Sequence, residues 1–152
     1  MSSNNPALEQ AYVSSLINKL KHKFSLTDYE ADFLLAINTE LRRAMPSTKL
    51  GLEQRINLLD EYRVKLLNMI YQISDKHSEI SFQYKEPYNL RFAKLIKAGR
   101  PSTQAVESEI LNDPAMFELY KLLEEYENFK SLLFGYLKAL GECKSSCFNK
   151  VV

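Results

Sequence analysis

The stretch that decides the fold is Leu52 to Tyr84, LEQRINLLDEYRVKLLNMIYQISDKHSEISFQY. Within it Leu52, Ile56, Leu59, Leu66, Ile70, Ile73 and Ile80 fall on alternating steps of four and three, and Arg63, His77 and Tyr84 complete the series. That spacing places one stripe along a helix and defines a heptad seam. With Leu52 at a d position, Ile56, Arg63, Ile70, His77 and Tyr84 occupy a, so two a positions carry polar side chains. Val64, Leu67 and Met69 add apolar surface off the seam, which predicts a bundle or higher oligomer rather than a two-stranded coiled coil.

A second seam lies downstream, in Leu119, Leu122, Tyr126, Phe129, Leu133, Tyr136, Leu140, Cys143 and Cys147. Gly135 and Gly141 lower helix propensity there by about 1 kcal/mol each relative to alanine, predicting a kink, fraying or close packing against another helix. Two helices of matched length joined by a compact connector predict an all-α, long antiparallel hairpin. Its surface exceeds what the N-terminal helices can cover, so another copy is expected to complete part of the seams.

Punctuation outside the seams sets the remaining elements. Asn5-Pro6 reads as an N-cap with proline at the first helical position, followed by Leu8, Tyr12, Leu16, Leu20 and Phe24 in a helix to about Lys23. Thr27 and Glu30 form a capping box, with Leu26 and Ala31 as a weak hydrophobic staple, and the second helix carries Leu34, Ile37 and Leu41. Met45-Pro46-Ser47 breaks the run, and Pro87 is expected to end the long helix. Asn89 to Ala98 then reads as a short helix closed by Gly99, Pro101-Ser102-Thr103 opens another over Gln104 to Leu111, and Asp113-Pro114 starts the last. The expected organisation is one helical domain over 1–152, with N-terminal helices at 6–45, a long helix at 48–84, a connector at 85–113 and a long C-terminal helix at 114–148.

The chain has 152 residues, 45% of them hydrophobic, with four glycines, five prolines and a net charge of +1. Such a composition suits one soluble helical core and provides no global electrostatic footprint for nucleic acid or anionic membrane. No apolar run approaches the roughly 20 residues of a bilayer span, and Met1 to Pro6 lacks the parts of a secretory signal, so a cytoplasmic location and no membrane partner are expected.

No catalytic or cofactor motif stands above background: there is no phosphate loop, dinucleotide fingerprint, nucleophile elbow or HExxH run, and the expectation is a non-enzyme without cofactor or metal. His22 sits in a basic helix end, while His77 reads as an interfacial histidine with register or pH sensitivity as the alternative. Cys143 and Cys147 read as core cysteines, because zinc would need further ligands.

Charge is more informative locally. Lys85, Arg91, Lys94, Lys97 and Arg100 oppose only Glu86, with Phe82, Tyr84, Tyr88 and Phe92 among them. Basic groups neutralise phosphates and exposed rings stack on unpaired bases, a combination suited to single-stranded nucleic acid. The alternative is a solvated helix face whose Leu90, Phe92 and Ile96 pack inward. Next comes an acidic run, Glu107, Glu109, Asp113, Glu118, Glu124, Glu125 and Glu127, which reads as a solvated face, a contact for a neighbouring subunit's connector, or a site for a basic partner.

The order of these elements, a long heptad helix, a basic segment Leu90 to Ala98, Gly99-Arg100, then Pro101-Ser102-Thr103-Gln104-Ala105-Val106-Glu107 and Ile110-Leu111-Asn112-Asp113-Pro114, resembles the tailed-phage recombination mediators of the UvsY type over roughly residues 56–148. The resemblance implies a small helical homo-oligomer in the host cytoplasm that binds single-stranded DNA. Its implied protein partners are a RecA-like recombinase, which it helps to load, and single-stranded-DNA-binding protein. Basic residues expected near the C-terminus are reduced here to Lys144 and Lys150. A protein–protein interaction module, such as a viral host-takeover or anti-defence factor, is the competing expectation, favoured by the near-neutral charge.

Overall fold

The computed structural model describes residues 6–152, with the side chain of Pro6 left aside, so the Asn5 cap lies outside the described residues. The described residues form α1 (Pro6–Lys23), α2 (Asp28–Arg42), α3 (Lys49–Lys97), α4 (Thr103–Leu111) and α5 (Pro114–Val151). The fold is all-α, and α3 and α5 pack antiparallel.

Local chemistry sets most boundaries. The Thr27 hydroxyl accepts from the Glu30 amide at 3.1 Å and the Glu30 carboxylate accepts from the Thr27 amide at 2.9 Å, completing the expected capping box. Upstream, Ser25 adopts φ 53° and the Leu26 amide donates to the Lys21 carbonyl, so α1 closes through a left-handed residue that is not glycine. Gly99, at φ 84°, closes α3 in the same way: the Arg100 amide reaches the Leu95 carbonyl and the Gly99 amide that of Ile96. Ser102 caps α4 through the Ala105 amide, and Asp113 caps α5 through the Ala115 amide.

One expectation requires correction. Pro87 does not end the long helix; α3 continues through it to Lys97, so there is no separate short helix at Asn89 to Ala98. A helical proline forfeits one backbone hydrogen bond and crowds the preceding turn, at a cost of about 3 kcal/mol. Packing on both sides opposes that cost: Tyr84, Tyr88, Phe92 and Leu95 all lie against a core of Val106, Ile110 and Met116. The expected first helix forms over Pro6–Lys23; of its every-fourth row Leu8 and Tyr12 are exposed, Leu16 and Leu20 half-buried and Phe24 buried, with Val13 and Ile17 also buried. Four residues overshoot a helical turn by about 40°, so such a row drifts around the helix and reaches the core only at its later members.

The chain divides into two compact units, 1–62 with 139–152, and 63–138. In the first, α1 and α2 pack together, and the buried side chains include Ile17, Leu34, Ile37, Leu52, Leu59, Leu140 and Cys147. Phe33 meets Tyr62 edge to face at 5.5 Å, and Lys144 pairs with Asp60 at 2.7 Å. In the second, Leu66, Met69, Ile70 and Ile73 of α3 and Tyr126, Phe129 and Leu133 of α5 are buried. Every seam position in both long helices is buried or half-buried within the single chain, whereas off-seam Val64 stands exposed. Gly135 and Gly141 interrupt nothing; α5 runs continuously through both.

Candidate functional site

The basic and aromatic segment lies in the second unit, on the last turns of α3. Tyr84, Tyr88 and Phe92 are four apart and form a ladder along one face, with ring centroids 5.4 Å apart for Tyr84–Tyr88 and 6.1 Å for the stacked Tyr88–Phe92 pair. Tyr120 of α5 joins at 6.3 Å from Tyr84. Half-buried against Val106, Ile110 and Met116, these rings act first as packing. Burial raises the Tyr84 and Tyr88 hydroxyls above their ordinary pKa, and Glu107, which accepts from the Tyr88 hydroxyl, adds to the effect.

The charges of the segment separate into two groups. Arg100 forms a two-pronged pair with Glu109, at 2.6 and 2.9 Å, and Arg91 pairs with Asp113. Hydrogen bonding from these guanidiniums holds the Glu109 and Asp113 carboxyls below their usual range. The residues of α4 that read as acidic in sequence therefore fold back onto α3, and Arg91, Lys94, Leu95, Glu109, Ile110 and Asp113 line a shallow cleft. Lys85, Lys94 and Lys97 remain exposed with no hydrogen-bond or ion-pair partner among the described residues.

The exposed ring is Phe82, 71% accessible. It lines an open groove with His77, Ser78, Ser81 and Lys85, which gathers one aromatic face, one cation and two hydroxyls on consecutive turns of α3. His77 Nε2 lies 3.6 Å from a Glu127 carboxylate oxygen, so this seam histidine has an acidic neighbour. Of the residues that the solvated-face alternative packs inward, Leu90 and Ile96 are exposed and Phe92 is half-buried.

No family model, curated protein or solved structure matches the chain. Among the described residues no group of three or more His, Cys, Asp or Glu side chains could hold a metal, and no helix is long and apolar enough to cross a membrane.

Reading the sequence overlooked Glu40 and Arg55, which are 5% and 4% exposed in the first unit. Arg55 donates to the Glu40 carbonyl at 2.8 Å and to that of Ala44 at 3.3 Å, tying down the end of α2. The available signal was the position of Arg55 three residues after Leu52, flanking the seam, although its partner depends on how α2 packs.

Proposed function

We propose that the protein is a non-enzymatic single-stranded-DNA-binding mediator of recombination that acts as an assembly of copies and assists loading of a RecA-like recombinase. The observation that carries the binding step is the groove at Phe82, where an exposed ring stands beside Lys85 and the Ser78 and Ser81 hydroxyls. A ring of this kind stacks on a base while the ammonium and hydroxyls meet the adjoining phosphates, a sequence-tolerant mode suited to single strands. Lys94 and Lys97 are further exposed cations along α3, Lys94 lying about half a turn around the helix from Lys85. Arg91 and Arg100 contribute less, because their carboxylate partners must be displaced first. The recombination role and the recombinase partner rest on the resemblance to the phage mediators.

Fluorescence anisotropy with a labelled oligonucleotide tests the binding step. Binding should weaken as salt rises, and Lys85→Ala, Lys94→Ala and Lys97→Ala together should flatten the salt dependence. Phe82→Ala should weaken binding without changing that slope. Absence of salt-sensitive binding at low ionic strength would sink the reading.

A second reading, a helical protein-interaction module, is favoured by the pairing of Arg91 and Arg100 with acids of their own chain, which leaves a smaller cationic surface. Recovery of a stoichiometric protein partner from nuclease-treated extract, together with failure to bind DNA, would select it.

A further inference from the structure

Two sulfur atoms meet in the first unit, apart from the proposed DNA groove, and a third lies one helical turn away. Cys147 Sγ lies 3.6 Å from Met45 Sδ, and Cys143 precedes Cys147 by four residues, one turn away on the same face of α5. Cys147 is fully buried and Cys143 half-buried, while Met45, on the segment between α2 and α3, is 38% exposed and opens one side to solvent. From this arrangement we propose that Cys143, Cys147 and Met45 form a site for a soft monovalent metal ion, copper(I).

Donor type and spacing carry the assignment. Two thiolates and a thioether form a soft set that favours copper(I), whereas structural zinc takes four ligands. No His, Cys, Asp or Glu among the described residues supplies a third ligand of the zinc-binding types to the two cysteines. A metal–sulfur bond of about 2.3 Å in a trigonal arrangement puts sulfur atoms about 4 Å apart, so the 3.6 Å between Cys147 and Met45 needs only a small outward adjustment.

Binding would form three metal–sulfur bonds, break two S–H bonds and release two protons, with no change in oxidation state. The electrostatics divide: burial pushes the Cys143 thiol up, the nearby Arg55 guanidinium favours its thiolate, and Cys147 and Glu40 oppose it. The metal's own charge supplies the remaining stabilisation of both thiolates.

The test is anaerobic titration of the reduced full chain into a copper(I)–bicinchoninate complex, followed by its absorbance. One equivalent of copper should be withdrawn, with a thiolate-to-copper band appearing in the near ultraviolet. Cys143→Ser should abolish withdrawal, and Met45→Leu should weaken it about tenfold or more, since even outer contacts to a metal site matter by that factor. Helical circular dichroism should be unchanged in both variants, whose altered side chains are not fully buried. Failure to withdraw copper, withdrawal unaffected by both substitutions, or equal affinity for zinc(II) would each overturn the assignment.

Discussion

Arg55 and Glu40 are joined twice: the guanidinium donates to the Glu40 backbone carbonyl at 2.8 Å, and its Nε lies 3.1 Å from the Glu40 carboxylate. The second contact lacks hydrogen-bond geometry and acts through charge. Arg43 also reaches the carboxylate, at 3.3 Å. Removing one partner of a buried pair leaves the other uncompensated, at a typical cost of about 3–5 kcal/mol. Arg55→Met should therefore lower stability in urea unfolding by part of that amount, because Arg43 still compensates the Glu40 carboxylate. Arg55→Met with Glu40→Leu should recover part of the loss, though the α2 carbonyls stay uncapped.

Leu66 and Val64 stand two residues apart on α3 with opposite surroundings, one fully buried and one 60% exposed. Leu66→Ala removes packed methyl groups and should cost about 2–5 kcal/mol. Val64→Ala should stay within about 0.5 kcal/mol for the isolated chain. If Val64 is covered by another copy, the melting temperature of the wild type should instead rise with protein concentration and Val64→Ala should shrink that dependence, a comparison that also tests the expected homo-oligomer.

Pro87 and Ser25 are both residues that their backbone positions disfavour. Pro87→Ala restores a helix donor inside α3 and should raise stability by about 1–3 kcal/mol. Ser25→Gly relieves the left-handed φ of 53° and should add about 0.5–1 kcal/mol. Denaturant midpoints of the two variants check both, and a fall in either would show that the local argument omits a compensating contact.

Asp28, Asp113 and Glu109 all titrate below their ordinary values, 3.8 for aspartate and 4.5 for glutamate, chiefly through hydrogen bonds from Lys21, Arg91 and Arg100. A depressed carboxylate favours folding fully above its unfolded value and loses that contribution as pH falls through its folded value. Melting temperature should thus drop on acidification below about pH 4.5, and Asp113→Asn should shrink the drop. The raised Tyr84 and Tyr88 work at the other limit, favouring folding below pH 10 and losing that contribution as they ionise. A melting temperature flat from pH 3 to 5 would contradict the acidic half.

The heptad steps from Leu52 to Tyr84 and from Leu119 to Cys147, the Thr27 capping box, the Gly99 stop and the caps at Ser102 and Asp113 were all determined by residues within a few positions of one another. Such features are local, because helix periodicity and capping depend on neighbours in the chain. Tertiary structure decided the contacts between distant partners. Pro87 is carried through a helix because Tyr84, Tyr88, Phe92 and Leu95 pack against α4 and the start of α5. Arg91 and Arg100 meet Asp113 and Glu109 because α4 folds back onto α3, which leaves Lys85, Lys94 and Lys97 as cations of the basic segment without an acidic partner among the described residues. Cys147 and Met45 meet across a separation of 102 residues. Charge pairing and sulfur contacts at such separations depend on how helices pack, and no local pattern encodes that.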